Sequence, residues 1–274
     1  DVIDWDEYTI VGTSQQLEKR YLRLTSAPDP TTVRPLPVLE KSLAFIRQRW
    51  QEKASYAYLC DQLKAVRQDL TVQRIKNEFT VAVYQIHGRL ALEHGDLGEY
   101  NQCQTQLRQL YEYNIPGDDM EFLAYRILYM LHTRNSADII AALATMTAEQ
   151  KADPAVRHAL DVRSAIATSN YHRLFQLYAS APNYGRFLMN QFVERERLNA
   201  LAIICRAYLP HIDAAYVQKE LGFDTLEDFT TFLCEHDLQS SFDTANARVD
   251  TRKASVEVAV CMKKFEKIDI KGQV

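Results

Sequence analysis

The chain has 274 residues, of which 47% are hydrophobic and 25% are charged, an ordinary composition for a soluble globular protein. It contains only 8 glycines and 8 prolines, which argues against sheet-rich folds and phosphate-binding loops, since both use glycine freely. The net charge of −4 excludes a surface that is basic throughout, so any contact with nucleic acid must be local. Long helices joined by short turns are the expected architecture.

The N-terminal part predicts one short helix followed by an extended stretch. Thr13 and Gln16 have the spacing of a helix N-terminus, which predicts a helix over residues 15–24. Four prolines within residues 26–37 then hold the backbone in extended conformations. The last of these prolines suits the first turn of a helix that we expect over residues 37–53.

Residues 38–183 predict a series of helices joined by tight polar turns. Apolar residues recur at three- and four-residue spacing, as on the buried face of a helix. Ser136 is placed as one N-cap, and Asp153 followed by Pro154 as another helix start. Two of the helix–turn–helix units resemble each other, which is typical of a tetratricopeptide-like repeat array. The helices whose first and last residues are both predicted cover residues 37–53, 56–66, 72–93, 97–113, 122–132, 154–168 and 171–179.

The pattern changes near residue 184. A helix over residues 186–208 precedes shorter helices over 212–221 and from Thr225 onward. Two β-compatible pieces follow, over residues 239–242 and 247–250. Three helices and a hairpin in this order are typical of a winged helix, and a helical array that ends in one is the PCI arrangement.

The expected fold is therefore all-α, a tetratricopeptide-like helical-repeat array capped by a C-terminal winged-helix (PCI) module with a small β hairpin. The predicted boundaries give an N-terminal segment, the repeat array, the winged-helix module and a basic tail. These parts cover residues 1–37, 38–183, 184–260 and 261–274.

Cysteine usage and the chain start bear on the cell compartment. Five cysteines are spread singly along the chain, which indicates reduced thiols in a cytosolic or nuclear protein. No apolar run approaches the roughly 18 residues that a transmembrane helix requires, so we expect no membrane partner. Residues 1–8 are acidic and lack the features of a signal peptide, and they are interpreted as the cut end of a longer protein.

Several ungapped strings resemble the family of the mRNA-export scaffold GANP. Within that family they look most like the branch of leukocyte receptor cluster member eight and its yeast relatives. The resemblance is strong over residues 12–129, looser after that, and absent beyond residue 248. The strings are YLRLTSAPDP at 21–30, VRP at 33–35, RQDLTVQ at 67–73, NQCQTQL at 101–107 and EF with AYRILY at 121–129.

The resemblance implies a nuclear scaffold in mRNA processing and export, coupled to transcription and splicing. It also implies that the winged helix pairs with a second PCI-domain protein, which carries a very small acidic subunit shared with the proteasome lid. The two winged helices together are expected to bind nucleic acid. The alternative is a PCI subunit of a proteasome-lid, signalosome or translation-initiation assembly without RNA binding.

The sequence gives little support for a catalytic or metal site. His87 and His94 lie seven residues apart, but two ligands without a third are a weak metal signal. The pair Asp118 and Asp119 is interpreted as a helix cap rather than an acid–base dyad. The sequence contains no nucleophile elbow and no glycine-rich phosphate loop. We therefore expect no enzymatic activity, cofactor, metal or small-molecule substrate.

Two basic clusters are candidates for RNA binding. Residues 41–76 contain eight basic and three acidic residues, and residues 248–274 contain seven and four. Phosphate contacts release counterions, so even modest clusters bind RNA. The alternative, favoured for the first cluster, is a solvated helix face. The predicted RNA-binding residues are Arg248, Arg252, Lys253, Lys263, Lys264, Lys267, Arg47, Arg49 and Lys53.

The second short helix of the winged-helix module carries acidic and apolar residues where a DNA-reading helix needs basic or amide side chains. The module is therefore interpreted as a protein-docking element whose hairpin edge is available for strand pairing. The predicted partner-binding residues are Phe229, Phe232, Phe242 and Val249.

Overall fold

A computed structural model of the protein describes residues 9–265. This part of the chain contains thirteen α-helices and one three-stranded antiparallel sheet, which confirms the predicted all-α helical array with a small hairpin. No helix within it is long and apolar enough to span a bilayer. The described residues divide into two compact units, 9–119 and 120–265. The boundary between the repeat array and the winged-helix module, placed near residue 184, stays a prediction.

Four helices form the first unit. Side chains cap three of their N-termini: Ser55 accepts from Tyr58 N, Asn77 from Thr80 N, and Asp96 from Glu99 N. The apolar stripes of α1, α2 and α3 share one core, which includes Leu39, Leu63 and Leu90, all at most 1% exposed. These helices are α1 (Leu36–Gln51), α2 (Tyr56–Val72), α3 (Glu78–Glu93) and α4 (Leu97–Glu112).

The predicted helix over residues 15–24 is wrong. Residues 9–35, which we call the strap, are irregular apart from a short 3₁₀ turn at Pro30–Thr32. The backbone amides of Lys19 and Tyr21 donate to the side chains of Gln62 and Asp61 on α2 instead of to carbonyls within the strap. Tertiary hydrogen bonds therefore replace those that a helix would have formed.

The predicted single helix over residues 72–93 is also wrong at its start. Helix α2 continues to Val72, and α3 begins only at Glu78. Arg74 between them adopts a left-handed backbone (φ 52°), which ends α2 in the way a C-terminal cap does. The Asn77 side chain then starts α3 in a new direction.

The first half of the second unit contains five helices. Asn135, rather than the predicted Ser136, caps α6. Helix α7 was not predicted, although Thr147 and Gln150 form a capping box at its start. Asp153 caps α8 with Pro154 at its first position, as predicted. These helices are α5 (Asp119–His132), α6 (Ser136–Thr145), α7 (Ala148–Ala152), α8 (Pro154–Ala167) and α9 (Tyr171–Ala179).

The remaining elements combine four helices with the sheet. The predicted helix over residues 212–221 is partly wrong, because its first residues form a strand that pairs with the hairpin. The middle strand is β3, flanked by β1 and β2. The elements are α10 (Gly185–Ala207), β1 (His211–Asp213), α11 (Ala214–Glu220), α12 (Leu226–Glu235), β2 (Phe242–Asp243), β3 (Arg248–Asp250) and α13 (Thr251–Met262).

Helix α13 lies where the sequence predicted the end of the module and a basic tail. Asp250 caps it by accepting from the backbone amides of Arg252 and Lys253, and a 3₁₀ turn at Lys263–Phe265 follows it. The helix packs against α10. Its buried stripe is Thr251, Ala254, Val258 and Cys261, at helical spacing.

Candidate nucleic acid and partner interface

Helix α13 and the turn after it carry most of the predicted RNA-binding residues. Residues 248–265 contain five basic and two acidic residues, which gives a local charge of +3. We call Arg252, Lys253, Lys263 and Lys264 the basic face, because all four are exposed on this helix and its C-terminal turn. The helix therefore concentrates positive charge on a chain whose net charge is negative.

The four members of the basic face differ in how they are held. Lys253 Nζ donates to the carbonyl oxygen of Ser240 at 2.8 Å, and Lys264 Nζ lies 3.4 Å from an Asp237 carboxylate oxygen. Within the described part of the chain, the side chains of Arg252 and Lys263 form no hydrogen bond or ion pair. Arg252 and Lys263 are therefore the members most available to a phosphate. The predicted residue Lys267 lies outside the described residues.

Arg248 is less suited to a phosphate contact than the basic face. It is exposed on β3, and its partners across the sheet are Asp213 on β1 and Asp243 on β2. Directly opposed side chains on neighbouring strands lie on the same face of a sheet. The two carboxylates therefore reduce the positive potential around Arg248, which sequence spacing could not reveal.

The other predicted RNA-binding residues belong to the first unit. Arg47, Arg49 and Lys53 are exposed at the C-terminal end of α1 and just beyond it. Arg49 pairs with Glu52 at 3.0 Å and stacks over the Phe45 ring at 4.9 Å. These contacts are those of an ordinary solvated helix end, so the structure gives this cluster no further support as an RNA site.

Three of the four predicted partner anchors are core residues. Phe229 and Val249 are fully buried, and Phe232 is 3% exposed. The rings of Phe229 and Phe232 both pack on Phe223. These residues cannot contact a partner while the fold is intact, and only Phe242, which is half-buried on the edge strand β2, remains as an anchor.

An exposed apolar cluster lies at the other edge of the sheet. Tyr208, Leu209 and Tyr216 are 45%, 62% and 42% exposed, and they flank β1 in the chain. The rings of Tyr208 and Tyr216 lie 5.9 Å apart, centroid to centroid. We call these three residues the tyrosine patch. The patch was not predicted from the sequence, because the apolar end of a long helix does not show which side chains stay uncovered.

Helix α12 has the acidic exposed side that its sequence predicts. Asp228 is taken up by the capping box with Thr225, while Glu227 and Glu235 face solvent. The helix has no lysine or arginine. A surface of this charge repels phosphate and lacks the basic and amide side chains with which a DNA-reading helix contacts bases.

One buried cluster in the first unit has metal-ligating side chains. Cys60, His87 and Glu99 place one ligand atom each within 4.8 Å of one another. Cys60 Sγ lies 3.4 Å from His87 Nε2, which in turn lies 3.8 Å from a Glu99 oxygen. The three residues come from α2, α3 and α4, so no sequence spacing could have indicated the group.

The charges around this cluster oppose a bound cation. Lys64 Nζ lies 2.7 Å from one Glu99 oxygen, and Arg67 pairs with the other. Arg67 also contacts His87 Nδ1 at 3.0 Å, and since a guanidinium can only donate, the His87 proton lies on Nε2, facing Cys60. Burial raises the pKa of the Cys60 thiol. The cluster is therefore a polar network that joins three helices rather than a metal site.

Comparison with known proteins identifies the chain's relatives. The SAC3/GANP family model matches residues 12–241. The THP3 homolog C2A9.11c of Schizosaccharomyces pombe is 52% identical over 97% of this chain and 67% of its own length. The leukocyte receptor cluster member 8 homolog of Xenopus laevis is 52% identical over 85% of this chain and 29% of its own, and Saccharomyces cerevisiae Protein THP3 is 37% identical over 96% and 60%. The chain belongs to the SAC3/GANP family.

Proposed function

We propose that this chain is a nuclear scaffold subunit in mRNA processing or export, and that its C-terminal elements dock a second PCI-domain protein and contact RNA. Membership of the SAC3/GANP family and similarity to the THP3 proteins support a scaffold role in mRNA processing or export. Because the frog and budding-yeast relatives extend well beyond the matched region, the activity and partners of the whole protein are part of the proposal. The proposed role requires no catalysis and no cofactor.

The order of the C-terminal elements supports a winged-helix docking module. Helix α10, strand β1, helices α11 and α12, and the hairpin β2–β3 follow one another in the order expected of that fold. Edge strands β1 and β2 present backbone groups that another strand can pair with. The tyrosine patch beside β1 adds the exposed aromatic side chains that are enriched at interface hot spots.

The observation that carries the proposal is that these elements present two surfaces of different chemistry. The tyrosine patch is apolar, whereas the basic face on α13 is positively charged. An apolar patch excludes water when a protein partner covers it, and a basic face attracts phosphate. One module can therefore offer one surface to a protein and another to RNA, as a splicing-coupled scaffold would require.

The protein partner is proposed to be a second PCI-domain protein that carries a very small acidic subunit. Affinity purification of the full-length protein from nuclear extract, with and without RNase, tests this. We expect the PCI partner and its small subunit to survive RNase, and splicing or export factors to disappear. Recovery of proteasome-lid, signalosome or initiation-factor subunits instead would support the alternative assembly without an RNA role.

A surface variant makes the test specific to the tyrosine patch. The double variant Leu209→Asp and Tyr216→Ser should fail to recover the PCI partner, because a charge replaces the most exposed apolar side chain of the patch. The matched control is Leu22→Asp with Tyr113→Ser, two residues of the first unit that are 68% and 61% exposed. Equal recovery of the partner with both double variants would place the docking site elsewhere.

A further inference from the structure

The second unit contains a cavity that the proposed function does not use. Its volume is about 620 Å³, within the usual range of small-ligand and peptide pockets. Residues from α6, α8 and α10, and from the end of α13, line it. We call it the isoleucine cavity, after Ile139, Ile140 and Ile166 in its wall.

The apolar part of the wall is aliphatic and partly open to solvent. Leu131 and Ile139 are 8% and 7% exposed, and they form the covered part. Ile140, the next residue on α6, is 63% exposed. The apolar lining of the cavity therefore continues to the protein surface at Ile140, where an occupant can cover it.

Three arginines line the same cavity, and one of them is fully engaged. Arg195 donates to Glu196 at 2.8 Å and to the carbonyl oxygens of His132 and Leu131 at 3.2 and 3.4 Å, so it caps the C-terminal end of α5. Glu196, the one carboxylate among the lining residues, also accepts from Asn199 at 3.1 Å. Glu196 therefore forms its hydrogen bonds with Arg195 and Asn199, and acts on Arg134 only through its charge.

Arg134 and Arg163 are the remaining positive charges. Within the described part of the chain, neither guanidinium forms a hydrogen bond or an ion pair. Burial first, and then the positive charge of Arg195, lowers the pKa of Arg134. The wall thus carries three guanidinium groups against one carboxylate, close to aliphatic surface, and its net positive charge complements a carboxylate.

We propose that the isoleucine cavity binds a short acidic segment of a partner protein in which an aliphatic side chain is flanked by carboxylates. The aliphatic side chain packs on Ile139, Ile140 and Ile166, and the carboxylates pair with Arg134 and Arg163. This inference does not rest on the proposed function, because it uses no residue of the basic face or the tyrosine patch.

The chemistry of the wall favours a peptide over RNA as the occupant. RNA-binding pockets commonly stack bases on free aromatic rings. The two aromatic residues here already have ring partners: Tyr171 stacks on Phe175 at 6.3 Å, and Phe265 lies 6.1 Å from His236. The isoleucines offer dispersion contacts to an aliphatic side chain, but no stacking platform.

Fluorescence anisotropy with the whole chain tests the proposal. The probe is a fluorescein-labelled peptide, Asp-Asp-Ile-Leu-Asp-Asp, and two comparison peptides replace either its aspartates by asparagine or its aliphatic residues by serine. We expect saturable binding of the probe and at least tenfold weaker binding of both comparison peptides, because each lacks one of the two required interactions. Equal binding of all three peptides would overturn the proposal.

Variants of the chain locate the site. Charge reversal by Arg134→Glu with Arg163→Glu should weaken probe binding at least tenfold, and Ile140→Ser about threefold. The matched control, Arg157→Glu with Arg206→Glu, reverses two exposed charges of the same unit that do not line the cavity, and should change binding less than twofold. Unchanged melting temperatures show that the variants fold. A control that weakens binding as much as the cavity variant would overturn the assignment.

Two further outcomes would assign the cavity to a different occupant. Displacement of the probe by a uridine oligonucleotide that itself depends on Arg134 and Arg163 would make the cavity a nucleic acid site and overturn the proposal. Binding that appears only in a chain truncated after Phe265 would mean that residues 266–274 of the chain itself compete for the cavity. That result would also overturn the proposal, because the occupant of the cavity would be this chain and not a partner protein.

Discussion

Arg34 is fully buried in the first unit, where the Asp69 carboxylate neutralises it. Its Nε lies 2.6 Å from one oxygen of Asp69, and Lys19 Nζ lies 2.5 Å from the other. Removing Arg34 leaves Lys19 as the remaining cation of Asp69, so the loss lies at the low end of the roughly 3–5 kcal/mol that breaking a buried ion pair costs. We therefore expect Arg34→Ala to lower the free energy of unfolding by about 3 kcal/mol or more, measured by urea denaturation, and to make the strap sensitive to protease.

The control for Arg34 is Lys19→Ala, which removes the other cation that contacts Asp69. The Lys19 side chain is 20% exposed, so water compensates part of the loss and the cost should be about 1 kcal/mol. If the two variants unfold at the same urea concentration, the buried pair does not anchor the strap.

His87 should make stability depend on pH. Burial, then the charges of Arg67 and Lys64, hold its pKa well below the usual 6.5. Below pH 6.5 the unfolded chain binds a proton that the folded chain excludes, so stability is present above this pH and is lost as pH falls towards the folded-state value. We expect this histidine to account for about 1 kcal/mol between pH 7 and 5.5. The groups facing it are Cys60, Lys64 and Arg67 from α2, and Glu99 from α4.

Urea denaturation at both pH values checks this expectation. His87→Gln cannot titrate, so it should lose about 1 kcal/mol less stability than the parent chain over the same interval. The control is His94→Gln, which removes an exposed histidine that packs on the Tyr56 ring at 4.6 Å and leaves the buried network of His87 intact. A parent-like loss in His87→Gln would assign the pH dependence to other groups.

Burial explains why the sequence misplaced several residues of the candidate site. Aromatic and β-branched residues at regular spacing suit either a core or an interface, and Phe229 and Val249 proved to be core. The polar network is the reverse case, because Cys60, His87 and Glu99 belong to three helices that only the fold brings together. The charge pattern was easier to predict, since lysines and arginines seldom lie inside a protein.

At the scale of elements, helix α13 and the strap depart from the sequence prediction in opposite ways: α13 is a helix that was not predicted, and the strap lacks a helix that was. Helix α13 has a clear signal that was overlooked: Asp250 as N-cap, and a buried stripe at spacings of three and four residues. The strap has a local helix signal, but α2 captures its backbone amides through Gln62 and Asp61. Only the second error was unavoidable, because that contact joins residues about 40 positions apart.

The basic face of α13 should carry the RNA affinity of the chain. Charge reversal of Arg252, Lys253, Lys263 and Lys264 to glutamate should weaken binding of a single-stranded uridine oligonucleotide at least tenfold at 50 mM salt, because phosphate repulsion replaces attraction. The slope of log affinity against log salt should fall by about 0.7 for each phosphate that the variant no longer neutralises. Anisotropy titrations between 50 and 200 mM salt measure both quantities.

The matched control reverses four basic residues of the other predicted cluster: Lys41, Arg47, Arg49 and Lys53, all exposed on or just after α1. We expect it to change the affinity less than threefold, because this cluster is an ordinary solvated helix end. An α1 variant whose affinity fell as far as that of the α13 variant would show that net charge, and not the basic face, determines RNA binding.

At the scale of the whole molecule, the strings that carry the family resemblance include both sides of one contact. Arg34 within residues 33–35 meets Asp69 within residues 67–73, and Gln73 donates to the Arg34 carbonyl oxygen while accepting from Gly12 N. A side chain on Gly12 would approach the Val33 carbonyl oxygen to 2.3 Å, so glycine is required there. Sequence could predict the helical architecture, but not that these strings meet, nor the division into two units.

The five thiols test the packing of both units in one experiment. Of the cysteines, all of which lie in the described part of the chain, Cys234 is exposed and the other four are buried. Burial raises the pKa of Cys103 to about 12 and of Cys205 to about 11, so neither forms thiolate at pH 8. We expect dithionitrobenzoate to label one thiol per native chain and five in denaturant, and Cys234→Ser to remove the fast thiol. Rapid labelling of two or more thiols in the native chain would contradict the described core.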